Sequence, residues 1–513
     1  MQKKILCFTI LLTIFSCSSI YPSEVVIDQA WQDIQSVTRD AVVHIFATSR
    51  PTNWFNPYVV CGTTTFTGTG FFINEEGYIA TCSHVIDHAL AVYVSIPALG
   101  KQRLRAHVVG ICPQYDVALL KLDEKALALM NKELGEIKYL PMGDSDIIQR
   151  GENVLSLGYP GTTLEMDQVK GTVGVISARL NCVFQFDAPT NPGNSGGPLL
   201  NKQGAVIGIT TSQVTQAQNS NFAIPINTFK NIAPALHEHR LLRLNHNGII
   251  WVFTNKEARD YFKCPTTHGC LVCDVTPLSL AEKVGIQADD IVYAVNNYLV
   301  DCYGEIDALY DNEKMRFDYY IDQQPVGAET IVKVYRDGQP LEFIIKNACA
   351  DPCSALMKYP TYEKIDYEIF AGMIIMPLTL NYIQACAKDR PGLQRYLTNL
   401  HACFSRLAVV NVFSDSKVCH MDTIRYGDTI NEVNGQKVAT LQDFRQALAK
   451  SSDTGYVVIK TTDEITLDTD NVLTILSFED SCTETAELSR VHCYPLSEST
   501  KELIAQMDDS LLL

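Results

Sequence analysis

A mainly β protein is predicted by two observations. From about Ala41 to Pro225, short β-branched runs alternate with glycine-bearing turns, the pattern expected of two six-stranded antiparallel barrels. Further on, one pattern occurs twice, in Asp289-Asp-Ile-Val-Tyr-Ala-Val-Asn296 and in Tyr426-Gly-Asp-Thr-Ile-Asn-Glu-Val-Asn-Gly435, which predicts two smaller repeated domains in tandem.

Each element follows in order. Lys3 and Lys4 precede an apolar run from Ile5 to Phe15, too short to cross a bilayer comfortably but suited to a signal-peptide core, with Ser16, Ser18 and Ser19 behind it. Export is therefore expected, with residues 1–19 removed. Cys17 is a possible lipid-carrying first residue of the mature chain, but Phe15 fits a lipobox poorly, and ordinary cleavage is the preferred reading. Gln29 to Arg39 reads as a short amphipathic helix and Ala41 to Phe46 as a strand. Arg50 to Thr67 reads as a long loop whose Trp54, Phe55 and Tyr58 suit either a neighbouring subunit or simple anchoring. After the barrels, Lys230 to His246 reads as a helical linker. Leu441 to Leu448 would be a helix closing the second small domain. The expected division is a barrel domain over 23–240, small domains over 245–350 and 365–475, and a C-terminal extension over 476–513.

Composition bounds the partners. The chain has 513 residues, more than one core organises, and its 46% hydrophobic and 19% charged residues are ordinary for globular protein. A formal net charge of −17 argues against a nucleic-acid partner, because neutralising phosphates needs a basic surface. No Gly-x4-Gly-Lys-[Ser/Thr] loop occurs, so no ATP requirement is expected, and neither a cofactor nor a metal is called for.

The chemistry concentrates in three segments. Asn191-Pro-Gly-Asn-Ser-Gly-Gly-Pro-Leu199 puts Ser195 on a glycine-rich turn, Thr81-Cys-Ser-His-Val85 supplies His84, and Tyr115-Asp-Val-Ala-Leu-Leu-Lys-Leu122 supplies Asp116. A serine hydroxyl is a poor nucleophile at neutral pH. A neutral imidazole must take its proton, and a carboxylate must hold that imidazole in the right tautomer. His84 is the candidate base, Asp116 its orienter and Ser195 the nucleophile, in the His, Asp, Ser order of chymotrypsin-like proteases. Gly193 and Gly196 lack a Cβ, which permits a tight turn presenting the N–H groups of Gly193 and Ser195 to an oxyanion.

With these residues stand Gly68-Thr-Gly-Phe-Phe-Ile73, Gly77-Tyr-Ile-Ala-Thr81, Gly143-Asp-Ser145, Gly158-Tyr-Pro160, Gly171-Thr-Val-Gly-Val-Ile-Ser177, Asp187-Ala188 and Phe222-Ala-Ile-Pro225. Together they resemble the HtrA (DegP/DegQ, Do-like) family of trypsin-fold serine proteases. The resemblance implies a chymotrypsin-like double β-barrel followed by two PDZ-like α+β domains. It further implies an ATP-independent endopeptidase acting on misfolded or damaged protein, assembled as a homotrimer or a larger oligomer. The position six before the nucleophile lines the specificity pocket in this fold. Here it is Pro189, so a charged substrate side chain would find no partner and small or medium aliphatic residues are expected. Gly248, Ile249 and Ile250 stand where the peptide-carboxylate loop of the first PDZ-like domain would fall, and Gly372 to Ile375 repeat it in the second. The first copy carries Ala288-Asp289 where Gly-Asp is usual. An alternative reading is a PDZ-bearing holdase or scaffold with a latent protease domain.

Cysteine patterns carry less. Cys82 replaces the family's usual Asn, and either a bridge to Cys61 or a buried free thiol suits it. Cys270-Leu-Val-Cys273 lies in a β-branched run, where residues three apart face opposite ways, so a structural role is expected rather than redox or metal chemistry. His237-Glu-His239 has no third ligand pattern and reads as a solvated helix end.

Overall fold

The computed structural model describes residues 29–161, 168–180, 183–211, 221–307, 314–349, 357–397, 404–463 and 471–507. The expected export segment and Cys17 lie outside the described residues. No described helix is long and apolar enough to cross a membrane.

Twelve strands form two closed barrels. The first contains β1 (Val42–Ser49), β2 (Thr64–Phe72), β3 (Tyr78–Thr81), β4 (Ala89–Ser95), β5 (Leu104–Cys112) and β6 (Val117–Leu122), in the order β1-β2-β3-β6-β5-β4. The second contains β7 (Asn153–Gly158), β8 (Lys170–Leu180), β9 (Val183–Phe186), β10 (Pro198–Leu200), β11 (Val206–Thr211) and β12 (Asn221–Pro225), in the order β10-β11-β12-β9-β8-β7. Closure leaves no strand edge to pair with another chain. Inside, β-branched and aromatic residues such as Ile45, Phe71, Ile79 and Leu120 fill one core, and Val154, Phe184, Phe186 and Ile207 fill the other. Burial along β4 alternates from Val92 to Ser95, with Val92 and Val94 buried and Tyr93 and Ser95 half-buried, and a register shift against β1 breaks the alternation at the start of the strand.

The expected helix near the start is α1 (Gln29–Thr38), whose Trp31 is buried in the first core. The expected helical linker is only half helical. The helix α2 (Ile226–Glu238) ends early, and the following chain runs extended along β5, where Ile111 N–H donates to Arg240 O and Leu242 N–H donates to Ile111 O. A bulge in the β5–β6 pairing near Gly110 accompanies this, so backbone pairing supplied by the barrel takes the segment that local propensity assigned to helix.

The first small domain is a sheet with strands 249–252, 270–275, 291–295, 329–336 and 339–346 in that order, and short helices over 280–284 and 317–322. The second repeats it with strands 368–370, 373–377, 407–412, 429–433, 456–462 and 472–477, and a closing helix Leu441–Ala449. Helices Phe478–His492 and Glu498–Met507 put Phe478, Cys482, Ala486, Leu503 and Ile504 into this second core, so the C-terminal residues pack as part of the domain. The repeat registers one residue later than Ala288-Asp289 suggested. Asp289 takes the positive φ (73°) that Gly427 takes (95°) in the second copy, and the buried Asp290 and Asp428 follow as equivalents. An aspartate tolerates that backbone region better than most residues, which is why the sequence departs from glycine there.

Trp54, Phe55 and Tyr58 pack within the chain, against the second small domain. Phe55 meets Tyr382 edge-on at 5.6 Å, and Tyr58 lies 5.7 Å from Tyr494.

Candidate active site

The site lies where loops of the two barrels meet. A single 3₁₀ turn, Ser83–Val85, follows β3 and carries His84; a tight turn between β5 and β6 carries Asp116. Asp116 sits at φ 54°, a left-handed conformation, fixed by its N–H donating to Pro113 O and by Ser83 N–H donating to its own carbonyl. Its carboxylate is 6% exposed as a residue and fully engaged. His84 Nδ1 lies 2.8 Å from Oδ2 and 2.9 Å from Oδ1, the His84 backbone N–H donates to Oδ1 at 3.0 Å, Ser83 Oγ donates at 3.1 Å and Thr211 Oγ1 donates to Oδ2 at 2.8 Å.

This arrangement decides charge. Burial works to raise Asp116, but the hydrogen bonds and charge of His84 and the Thr211 hydroxyl outweigh it and hold the carboxyl below its ordinary value. Burial likewise works to lower His84, and the Asp116 hydrogen bond and charge outweigh it, leaving the imidazole above its ordinary 6.5. The His84 side chain is 46% exposed, so it remains open to solvent and substrate on its far side.

Ser195 stands on the turn between β9 and β10, against β2 and the end of β3. A Cβ on Gly193 (φ 103°) would lie 2.4 Å from Tyr159 O, and one on Gly196 (φ 87°) 2.1 Å from both Thr69 O and Thr81 Oγ1. Both positions therefore require glycine. Thr69 clasps the turn: its hydroxyl donates to Gly193 O at 2.7 Å and its N–H donates to Ser195 O at 2.9 Å. Gly161 N–H donates to Pro192 O and Gly197 N–H donates to Asn194 O. Since C=O and N–H of one planar trans peptide point opposite ways, these two bonds fix the direction of the Gly193 and Ser195 N–H groups.

Thr69, Ser83 and Thr211 were not singled out by sequence reasoning. Ser83 adjoins the histidine and offered a positional signal; Thr69 and Thr211 sit in ordinary strand sequence and offered none. Pro189 is exposed, and its carbonyl accepts from Thr172 Oγ1 at 3.0 Å. Beside it Asn221 accepts from the Thr190 hydroxyl and donates to Ala188 O at 2.8 Å, so a neutral amide stands there.

Cys82 and Cys61 are free thiols and form no bridge, as are all the described cysteines. Cys82 is fully buried and its thiol donates to Thr210 O, a contact that takes it away from Cys61. Its sulfur, His84 and Asp116 offer ligand atoms within 4.8 Å of one another. Burial first, then the Asp116 charge, push that thiol well up, so it stays protonated and is a poor metal ligand. Cys270 is buried and Cys273 exposed, on opposite faces of their strand. His237 and His239 are exposed at the end of α2.

The two candidate peptide loops differ from an open receptor. In the first, Ile249 N–H donates to Asn247 Oδ1 at 2.8 Å and Asn247 N–H donates to Asp322 Oδ1 at 3.0 Å, so the turn around Gly248 already holds an internal carboxylate. Ile249 and Ile250 pair with Val275 and Asp274 on one side, and their strand is the sheet edge on the other. In the second, strand Glu368–Phe370 pairs antiparallel with Met373–Ile375, covering the edge next to the closing helix. Arg445 of that helix holds it by bonds to Glu368 Oε2 at 2.6 Å and to both Asp366 oxygens at 3.0 Å.

Two family models match the chain, a trypsin-like peptidase domain over residues 68–209 and a PDZ domain over residues 358–492. The chain is 28% identical over 396 residues to a probable periplasmic serine endoprotease DegP-like of Chlamydia trachomatis serovar D, covering 75% of this chain and 70% of that protein. It is 29% identical over 281 residues to the periplasmic serine endoprotease DegP of Escherichia coli K12, covering 53% of this chain and 55% of that one. The solved HtrA-type protease AlgW with decapeptide aligns at 22% identity and a TM-score of 0.47, over 63% of this chain and 99% of that structure. Double barrels of this kind, with a bonded Asp–His pair, a glycine-flanked serine and PDZ-like sheets later in the chain, define a trypsin-like serine endopeptidase bearing PDZ domains. Within that class the chain is similar to the DegP-named periplasmic serine endoproteases, in keeping with its resemblance to the HtrA family.

Proposed function

We propose that Ser195 attacks the substrate carbonyl and forms an acyl-enzyme, with His84 taking its proton and Asp116 orienting the imidazole. The observation that carries this is the 2.8 Å contact between His84 Nδ1 and Asp116 Oδ2, which leaves Nε2 as the base toward the cleft. As the tetrahedral intermediate forms, negative charge on the former carbonyl oxygen is met by the Gly193 and Ser195 N–H groups. His84 then returns the proton to the leaving amine, and water repeats the cycle on the acyl-enzyme. Pro189 and Asn221 supply no charge near the turn, which suits small or medium aliphatic side chains in the specificity pocket.

The substrate reading is unfolded or damaged polypeptide met after export, supported by relatives named as periplasmic serine endoproteases and by the lysine-led apolar start of the chain. The working division remains barrel domain 23–240 and PDZ-like domains from 245 and 365, with assembly into a homotrimer or larger array. Of the two PDZ-like domains, the first offers the peptide-binding edge, since the second has its edge covered by residues 368–370. Labelling of purified protein by a fluorophosphonate, alone and with an unfolded protein present, with Ser195→Ala as control, tests the reading. Wild type that stays unlabelled with unfolded substrate present would return the function to a holdase or scaffold.

A further inference from the structure

A cavity of about 330 Å³ opens against His84 and Asp116. Its walls are Ser83, His84, Asp87, Ile111, Pro113, Asp116 and Tyr359. Six of these belong to the first barrel. The seventh comes from the segment joining the two PDZ-like domains, some 240 residues later in the chain than Asp116 by the numbering of the two residues.

That segment is clamped in place. Glu363 accepts from Tyr359 N–H at 2.7 Å, from Arg243 at 2.6 Å and from Lys358 at 3.2 Å, and Arg243 also donates to Met357 O at 2.8 Å. The Tyr362 hydroxyl reaches Ile86 O at 3.5 Å, and Arg240 lies over its ring. Tyr359 is thus held against the barrel as one wall of the cavity by groups on both sides of it. Burial, and then the Asp87 charge, push its phenol up to about 12, so it stands there neutral.

Two carboxylates reach the cavity, and Asp116 is already bonded to His84, Ser83 and Thr211 while Asp87 is not so satisfied. One Asp87 carboxylate oxygen is buried without a hydrogen-bond partner among the described residues. The other meets His88 Nε2 at 3.4 Å, and the side chain is 37% exposed. This is an under-satisfied acid in a wall shared between apolar groups, Ile111, Pro113 and the Tyr359 ring, and polar ones, Ser83, His84 and Asp116. Of the cations around the segment, Arg243 is taken by Glu363 and Arg240 is stacked on Tyr362, and the positive charge that acts on Asp87 comes from the imidazoles of His88 and His84. A cavity with an apolar side at Ile111, Pro113 and the Tyr359 ring and an under-satisfied carboxylate at Asp87 fits a side chain with a methylene stem and a cationic head.

We propose that this cavity is a substrate subsite for a lysine or arginine flanking the scissile bond, with Asp87 receiving the cation and Tyr359 of the inter-PDZ segment packing against the stem. The proposal rests on the serine-endopeptidase reading but concerns a position other than the specificity pocket at Pro189. It also makes the segment between the PDZ-like domains part of the cleft, so its docking shapes which peptides are cut.

The test is cleavage of a peptide library randomised on both sides of a fixed aliphatic cleavage residue, using the full chain. Lysine and arginine should be enriched about tenfold over leucine at one position within two residues of the cut. For matched Lys and Leu peptides, the ratio of kcat/KM within one preparation cancels the fraction of active enzyme. Asp87→Asn should bring that ratio close to one, Tyr359→Ala should lower it severalfold, and Tyr359→Phe should preserve it. No basic enrichment in the wild type, or an unchanged ratio in both Asp87→Asn and Tyr359→Ala, overturns the subsite. If the chain cuts no peptide at all while Ser195 also resists fluorophosphonate, the endopeptidase reading falls first.

Discussion

Thr211 Oγ1 donates to Asp116 Oδ2 at 2.8 Å, joining the last residue of a strand in the second barrel to the orienting carboxylate of the first. The acid that aims His84 is therefore set by the docking of two separately closed sheets. Thr211→Val should lower kcat about tenfold, roughly 1.4 kcal/mol, with little change in KM. Steady-state kinetics on an aliphatic-site peptide decide this; an unaltered kcat would mean the remaining three donors suffice.

The acid limb of the rate profile should fall above pH 6.5. His84 must be neutral to act, and its pairing with Asp116 lifts it above that ordinary value. Its folded value being raised, the pair's contribution to stability is complete below the unfolded pKa and fades as pH rises through the folded one. Asp116 works the other way: held below its ordinary 3.8, it contributes above that value and loses its contribution as pH falls through the depressed one. A kcat/KM profile flat from neutral to clearly acid pH would contradict the assignment of His84 as base.

Gly193→Ala and Gly196→Ala should each abolish most activity, a loss of about a hundredfold or more, because a Cβ meets backbone that cannot move aside. Fluorophosphonate labelling rate, read beside thermal melting, separates a disturbed turn from an unfolded barrel.

Arg445→Ala leaves Glu368, 1% exposed, with the Thr500 hydroxyl at 2.8 Å as its one remaining side-chain partner among the described residues. The second PDZ-like domain should lose about 3 kcal/mol by urea denaturation. Hydrogen exchange should quicken first at residues 368–377, where the covering strand peels from its partner.

Asp322→Ala should free the turn around Gly248. Peptides ending in a free carboxylate should then bind more tightly than in the wild type, while amidated peptides change little. Titration of both peptide forms by fluorescence anisotropy reads the difference, and equal responses would show that Asp322 does not block the loop.

Much of this was legible in the chain because it depends on local rules. Strand alternation marks both barrels, and Gly193 and Gly196 mark a turn that other residues sterically forbid. His84, Asp116 and Ser195 each sit in recognisable segments. The helical linker was misjudged after Glu238 because the pairing that captures it comes from Ile111. The possible Cys61–Cys82 bridge fails for a similar reason, as Cys82 turns inward to Thr210.

The sequence by itself determined the class of chemistry, since nucleophile, base and orienter are residue types that no packing can supply. Tertiary structure alone decided what surrounds them. Thr69 and Thr211 became supports, Tyr359 became a cleft wall, and residues 368–370 became the cover of a PDZ edge. Each of these roles rests on contact between segments far apart in the chain, and local pattern carries no record of which distant surface a side chain will meet.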